Sequence, residues 1–300
     1  MNNFGILCLI ALYGASYSAV EGASRIMGGS AADDIRFRYM VSLQRLSEVT
    51  QLTRGHRCGG ALISFSHAVT TASCLYDNNA GVFSLIAPAE YRLFAGAARL
   101  NNDSVTERIE RISNFTVHPQ FVPTQLHNND IAVITTASPF SSSVVTILAI
   151  PSADINIFQR CNTAGWGGQN ASASASNQLM FHENQVYENR ECTIAFNALG
   201  TPISMQSSMV CALPSRMTSG CQGDLGNPLV CNDLLHGVQF LSKNCSSTWI
   251  AYPDVYTKVF SYRAWLNNII GDNTSGASTY QSGIGLVAMF ALVQIVATMS

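Results

Sequence analysis

Cysteine is the residue that most restricts what this chain can become. Nine are present, at positions 8, 58, 74, 161, 192, 211, 221, 231 and 245. Cys8 sits in a short apolar run, Phe4 to Leu12, followed by small residues through Ala19. That arrangement reads as a secretory leader (1–19) removed near Ser18 or Ala19, although no Lys or Arg precedes Arg25 to give it a positive start. Eight cysteines then remain, an even number, and in a secreted chain they are expected to close four disulfides. Eight cysteines allow roughly a hundred pairings, so counting alone does not connect them.

Other features fit a secreted glycoprotein. Glycosylation sequons occur at Asn102, Asn114, Asn170, Asn244 and Asn273, the fourth weakened by Cys245 in its middle position. Apolar residues make up 47% of the chain and charged residues 11%, which supplies a core and argues against disorder. The net charge is -2 and no basic stripe is present, so nucleic acid is excluded as a partner. The cysteines are committed and the histidines scattered, so no metal site or cofactor is expected. The Ala-Ser tract from Ala171 to Ser176 reads as a surface loop.

The C-terminal segment (272–300) contains an apolar run, Ile284 to Ala297, broken only by Gln294. It falls short of the about 20 residues a spanning helix needs. Small residues Ser275 to Ser278 and a polar spacer, Thr279 to Gly283, precede it. The pattern matches a glycolipid (GPI) anchor signal. A short membrane segment and a tail with neither role stay open beside it. The chain is therefore expected to be secreted, extracellular or attached to the outer cell surface.

Between these ends, short apolar runs alternate with Gly, Asn, Ser and Pro. Cys58 to Ser64, Ala68 to Ala72, Tyr91 to Ala95, Asp130 to Thr135, Val144 to Ile150 and Leu234 to Leu241 have strand length and β-branched content. Many such runs without helical periods point to an all-β sandwich or barrel. One helix is evident late, from Tyr262, Trp265, Leu266, Ile269 and Ile270 at helical spacing, with Ser261 as its cap.

Four segments carry a resemblance, in this order: Arg25-Ile26-Met27-Gly28-Gly29; Cys58-Gly59-Gly60-Ala61-Leu62-Ile63-Ser64 running on to Thr70-Thr71-Ala72-Ser73-Cys74; Asn129-Asp130-Ile131-Ala132-Val133; and Cys221-Gln222-Gly223-Asp224-Leu225-Gly226-Asn227-Pro228. Gly165-Trp166-Gly167 and Pro253 to Val259 fill the gaps. Together they resemble the trypsin/chymotrypsin-like serine proteases over roughly Ile26 to Ile270. The resemblance implies two six-stranded antiparallel β-barrels with a C-terminal α-helix, a domain at 26–271 and a short propeptide at 20–25. It also implies disulfides Cys58–Cys74, Cys161–Cys231, Cys192–Cys211 and Cys221–Cys245.

Chemistry of that family uses a serine nucleophile, a histidine base and an aspartate that orients the histidine. The matching positions here are Leu225, Ser73 and Asp130. An isobutyl group has no acidic proton, and a hydroxymethyl group is no base near neutral pH. His56, His67, His118 and His127 are expected to be surface or structural histidines rather than substitutes. Asp130 is read as a remnant that hydrogen bonds Ser73 and nearby amides, with water in the vacated ring volume. Gly223 and the Leu225 amide match the oxyanion-hole donors and are read as an ordinary turn crowded by the leucine.

At the pocket, the resemblance places Ser219 on the floor, Ser242 at the mouth and Asp254 on the wall, while Phe240 borders the aspartate. Asp254 is expected to be solvated or to fill the pocket itself, rather than to attract a Lys or Arg side chain. The activation junction matches, with Arg25 before Ile26 and Asp224 as the acid that would receive the new ammonium. Cleavage there is expected to order the surface, and an inherited junction that is never used, or used without consequence, stays open beside it. The leading expectation is a noncatalytic homologue that binds a protein partner, namely a protease, an inhibitor or a surface ligand. A serine endopeptidase with residual activity and a surface adhesion molecule are the alternatives.

Overall fold

The computed structural model describes residues 29–125, 127–168, 175–215, 223–242 and 252–272. The leader, Arg25, Ile26, Ser219, Cys221, Cys245, Asn170, Asn244, Asn273 and the C-terminal tail lie outside the described residues. The strands of the N-terminal half are β1 (Ser30–Ala31), β2 (Met40–Arg45), β3 (His56–Ser64), β4 (His67–Thr70), β5 (Tyr76–Asn79), β6 (Val82–Leu85), β7 (Tyr91–Ala95), β8 (Ile109–Val117) and β9 (Ala132–Thr136). Those of the C-terminal half are β10 (Arg160–Gly165), β11 (Met180–Tyr187), β12 (Met209–Pro214), β13 (Pro228–Cys231), β14 (Leu234–Leu241) and β15 (Asp254–Lys258). Two helices, α1 (Asn189–Ala198) and α2 (Arg263–Asp272), complete the inventory of longer elements.

Six strands close the first barrel in the order β2-β3-β4-β9-β8-β7. The second barrel runs β11-β10-β13-β14-β15-β12 and closes through β11 and β12, with β1 added outside β11. All pairings between these strands are antiparallel. Two six-stranded barrels followed by a helix are the architecture the sequence implied. A shared apolar cluster joins them, with Met40, Val69 and Phe94 from the first meeting Trp166, Val238 and Leu266 from the second side.

Three of the implied disulfides are present, Cys58–Cys74, Cys161–Cys231 and Cys192–Cys211. The runs at Tyr91–Ala95 and Leu234–Leu241 coincide with β7 and β14. Val144 to Ile150, expected as a strand, is instead the link between barrels. Val145 and Leu148 are buried, Leu148 N donates to Leu62 O, and Ile147 stays exposed. It makes only an isolated bridge, at Ala149 to Leu234.

Ser261 does not cap α2. A 3-10 turn at Val259–Tyr262 leads into the helix, and Ser261 lies within it. Helix α1 was not evident in sequence, because it buries only Cys192 and Phe196 and leaves Ile194 exposed. The Ala-Ser tract is not wholly a surface loop, since Ser176 turns inward and its N–H donates to Trp166 O. Asn114 is exposed on β8, whereas Asn102 is half-buried.

Candidate active site

Four contacts draw the motif residues together. Ser73 opens a 3-10 turn, Ser73–Leu75, whose Cys74 is bonded to Cys58 on β3. The neighbour of Cys58, Gly59, donates its N–H to Leu225 O at 2.9 Å. Ser73 N donates to Asp130 Oδ1 at 2.7 Å. From the second barrel, Thr257 Oγ1 donates to Asp130 O at 2.8 Å. Two barrels and a disulfide thus hold Ser73, Asp130 and Leu225 in one region.

Asp130 is buried, and burial pushes its carboxyl up to about 6 against the opposing hydrogen bonds from Ser73 and Ala72. The Ser73 hydroxyl is enclosed beside it. Leu225 is 36% exposed, an isobutyl group facing out from the turn. Phe240 is buried, and its ring lies 5.3 Å from that of His127.

Gly223 and Leu225 share one tight turn with Gly226. Gly223 (φ +91°) and Gly226 (φ +83°) adopt left-handed backbone that favours glycine. A Cβ on Gly226 would stand 2.3 Å from both Gly59 O and Thr70 Oγ1, so the turn could not seat against β3 and β4 with a larger residue. Gly226 N donates to Gln239 O at 2.8 Å, which fastens the turn to β14.

His56 supports the turn from below. Its Nε2 lies 2.9 Å from Gly223 O, and its Nδ1 lies 2.7 Å from Ser42 Oγ. A carbonyl can only accept, so Nε2 carries the proton and the Ser42 hydroxyl donates to Nδ1. Burial pushes the ring down to about 4, so it stays neutral at physiological pH. The other histidines have their own surroundings. His67 lies 2.7 Å from Ser64 Oγ, His118 packs edge-on between Tyr262 and Trp265, and His127 faces Phe240.

The acid Asp224 is buried under the turn. Its Oδ1 accepts from Gly167 N at 3.0 Å and from Asn227 Nδ2 at 2.7 Å. Asn227 is a site residue that sequence reasoning missed. Nothing local to it signals a role, because the space for its amide is made by Gly59 and Gly165, far away in the chain.

Asp254 is wholly buried on β15, which excludes the solvated alternative. His182 Nε2 lies 3.9 Å from its Oδ2, and Gln239 and Tyr256 hydrogen bond to the carboxyl. Burial, reinforced by the nearby Asp224 charge, raises its carboxyl well above the ordinary range. Ser242 is half-buried and lines a hollow of about 450 Å³ with His127, Phe196, Pro202, Ile203 and Leu241. Among the described residues no group of three His, Cys, Asp or Glu side chains could hold a metal ion. No helix among them is long and apolar enough to cross a membrane.

The model of the trypsin family matches residues 26–266. Trypsin alpha of Drosophila melanogaster is 32% identical over 245 residues, covering 81% of this chain and 86% of that protein. Among solved structures, mouse neuropsin, a serine protease expressed in the limbic system, aligns with TM-score 0.65 at 23% identity, over 81% of this chain and 98% of its own. Human heparin binding protein aligns with TM-score 0.62 at 26% identity, over 81% and 96%.

Proposed function

The chain belongs to the trypsin family, and from that premise we propose that it is a noncatalytic member, secreted or held at the outer cell surface, whose cleft binds a protein partner. The observation that carries the proposal is Leu225, an aliphatic side chain at the position the family motif gives the nucleophile, in a turn set by Gly223 and Gly226. Ser73 at the base's place is the second departure. Loss of either serine or histidine from such a triad costs on the order of 10⁶ in turnover. Residual rates of about 10³–10⁴ over water come from substrate binding and the oxyanion hole. Here both groups differ, and no base can activate a C–H bond of leucine.

Charge favours a protein over a polyanion. One structural relative is named for binding heparin. In this chain Arg54 and Arg92 are engaged by Asp103, and Arg45 and Arg57 by Asp77. The hollow beside Leu241 supplies an apolar floor for a partner's side chain, with Ser242 at its edge. Cleavage after Arg25 enters the proposal as a modulator of this surface.

A fluorophosphonate probe tests the absence of a nucleophile. The purified chain is expected to remain unlabelled while an active trypsin in the same tube is labelled fully. Stable phosphonylation mapped by mass spectrometry to a hydroxyl of this region, such as Ser73 or Ser242, would overturn the proposal and restore the endopeptidase reading, which the names of the relatives favour.

A further inference from the structure

Asn227 is placed to do the work expected of an activating group. It is buried, and its Nδ2 grips the Asp224 carboxylate at 2.7 Å. A hydrogen bond to an ionised oxygen is roughly twice as strong as a neutral one. The amide is enclosed by glycines: a Cβ on Gly59 would lie 1.9 Å from its Oδ1, and one on Gly165 would lie 1.9 Å from its Nδ2.

The backbone completes the frame. Asn227 N donates to Asp224 O at 3.1 Å, and Gln239 N donates to Asn227 O at 2.9 Å. Gly167 N also donates to Asp224 Oδ1. Above, Gly223 O accepts from His56 and Leu225 O accepts from Gly59. Each of these donors belongs to residues outside the segment that cleavage after Arg25 would release.

We infer that Asn227 is a built-in positioning residue that keeps the Gly223–Leu225 turn ordered in the uncleaved chain. A new ammonium at Ile26 would then approach an acid that is already held, so cleavage modulates the surface without assembling it. This revises the sequence expectation that cleavage orders the turn. It concerns the order of the turn and stands or falls apart from the noncatalytic reading, because its readout involves no hydrolysis.

The experiment compares melting of the purified precursor and its Arg25-cleaved form, for wild type and N227A. Wild-type intact and cleaved forms are expected to melt within about 2 °C of each other. Intact N227A should melt about 4–8 °C lower, the loss of one hydrogen bond to a charged group in a domain of this size. Cleavage should recover part of that loss, since Asp224 gains the ammonium. Equal loss in intact and cleaved N227A would make Asn227 merely structural and overturn the inference. So would a rise of more than about 5 °C when wild type is cleaved. If N227A does not fold, hydrogen exchange of the wild-type 223–225 amides decides. Equal protection before and after cleavage supports the inference, and protection that appears only after cleavage refutes it.

Discussion

The two barrels share a topology and differ inside. The first is lined by Val41, Leu43, Leu62, Ala68, Leu93 and Ile134, an aliphatic interior that needs no hydrogen bonds. Strand register places a different set on the inner face of the second. Thr163 stands opposite His182, Gln239 opposite Tyr256, and Asp254 opposite Ala212. Asn184 follows His182 by two residues along β11 and is buried with it. Only one end of this interior is apolar, where Val186, Val210, Leu229 and the Cys161–Cys231 bridge pack.

Part of the polar set is satisfied. The Thr163 and Tyr256 hydroxyls lie 2.8 Å apart, and Asn184 Nδ2 donates to Thr163 Oγ1 at 2.9 Å. His182, Asp254 and Gln239 are buried with them, His182 beside Asn184 and Asp254 beside Gln239 and Tyr256. The same architecture therefore encloses an apolar interior in the first barrel and buries ionisable groups in the second, where their desolvation is costly. The second barrel also carries Asp224 and the Leu225 turn, so the costly interior lies beside the candidate site.

The largest effect that sharpens this comparison is expected in the first barrel. L62A removes a fully buried side chain from β3 and should cost about 2–5 kcal/mol in urea unfolding. A loss below about 0.5 kcal/mol would show that the first interior is not the stabilising one.

The second barrel should respond to pH in two opposite ways. Burial lowers the His182 ring from 6.5 to about 4. A depressed folded value means that its contribution is present above pH 6.5 and is lost as pH falls toward 4. H182Q should remove that acid loss, a term on the order of 3 kcal/mol. Asp254 has a raised folded value, so its contribution is present below the ordinary 3.8 and is lost as pH rises. D254N should therefore be more stable than wild type at pH 8 and no more stable at pH 3. Were the pair instead ionic, D254N would be strongly destabilised at neutral pH, and the urea midpoints would reverse.

Much of this was legible in the chain itself, for identifiable reasons. Local motifs marked the turn at Ser73, the strand entry at Asp130 and the turn at Leu225, because each is built from residues adjacent in sequence. β7 and β14 could be read as short apolar runs with clear ends. The polar interior could not, since β11 reads Met-Phe-His-Glu-Asn-Gln-Val-Tyr and carries polar residues on both faces. Asn227 was illegible as a support because the space for its amide is left by distant Gly59 and Gly165, and His56 because its partner, Gly223 O, lies across the fold. Val144 to Ile150 has strand composition, yet its packing across the first barrel leaves it one bridge instead of a ladder.

The central claim is that residues 73 and 225, rather than any wider failure of the scaffold, remove hydrolysis. Steady-state turnover of an activated ester measures it directly, on contaminant-free wild type and on the double variant L225S/S73H, each cleaved after Arg25. The account predicts at most residual turnover for wild type, insensitive to an active-site reagent, and acylation and deacylation well above it for the double variant. Sustained wild-type turnover, blocked by an active-site reagent, would contradict it.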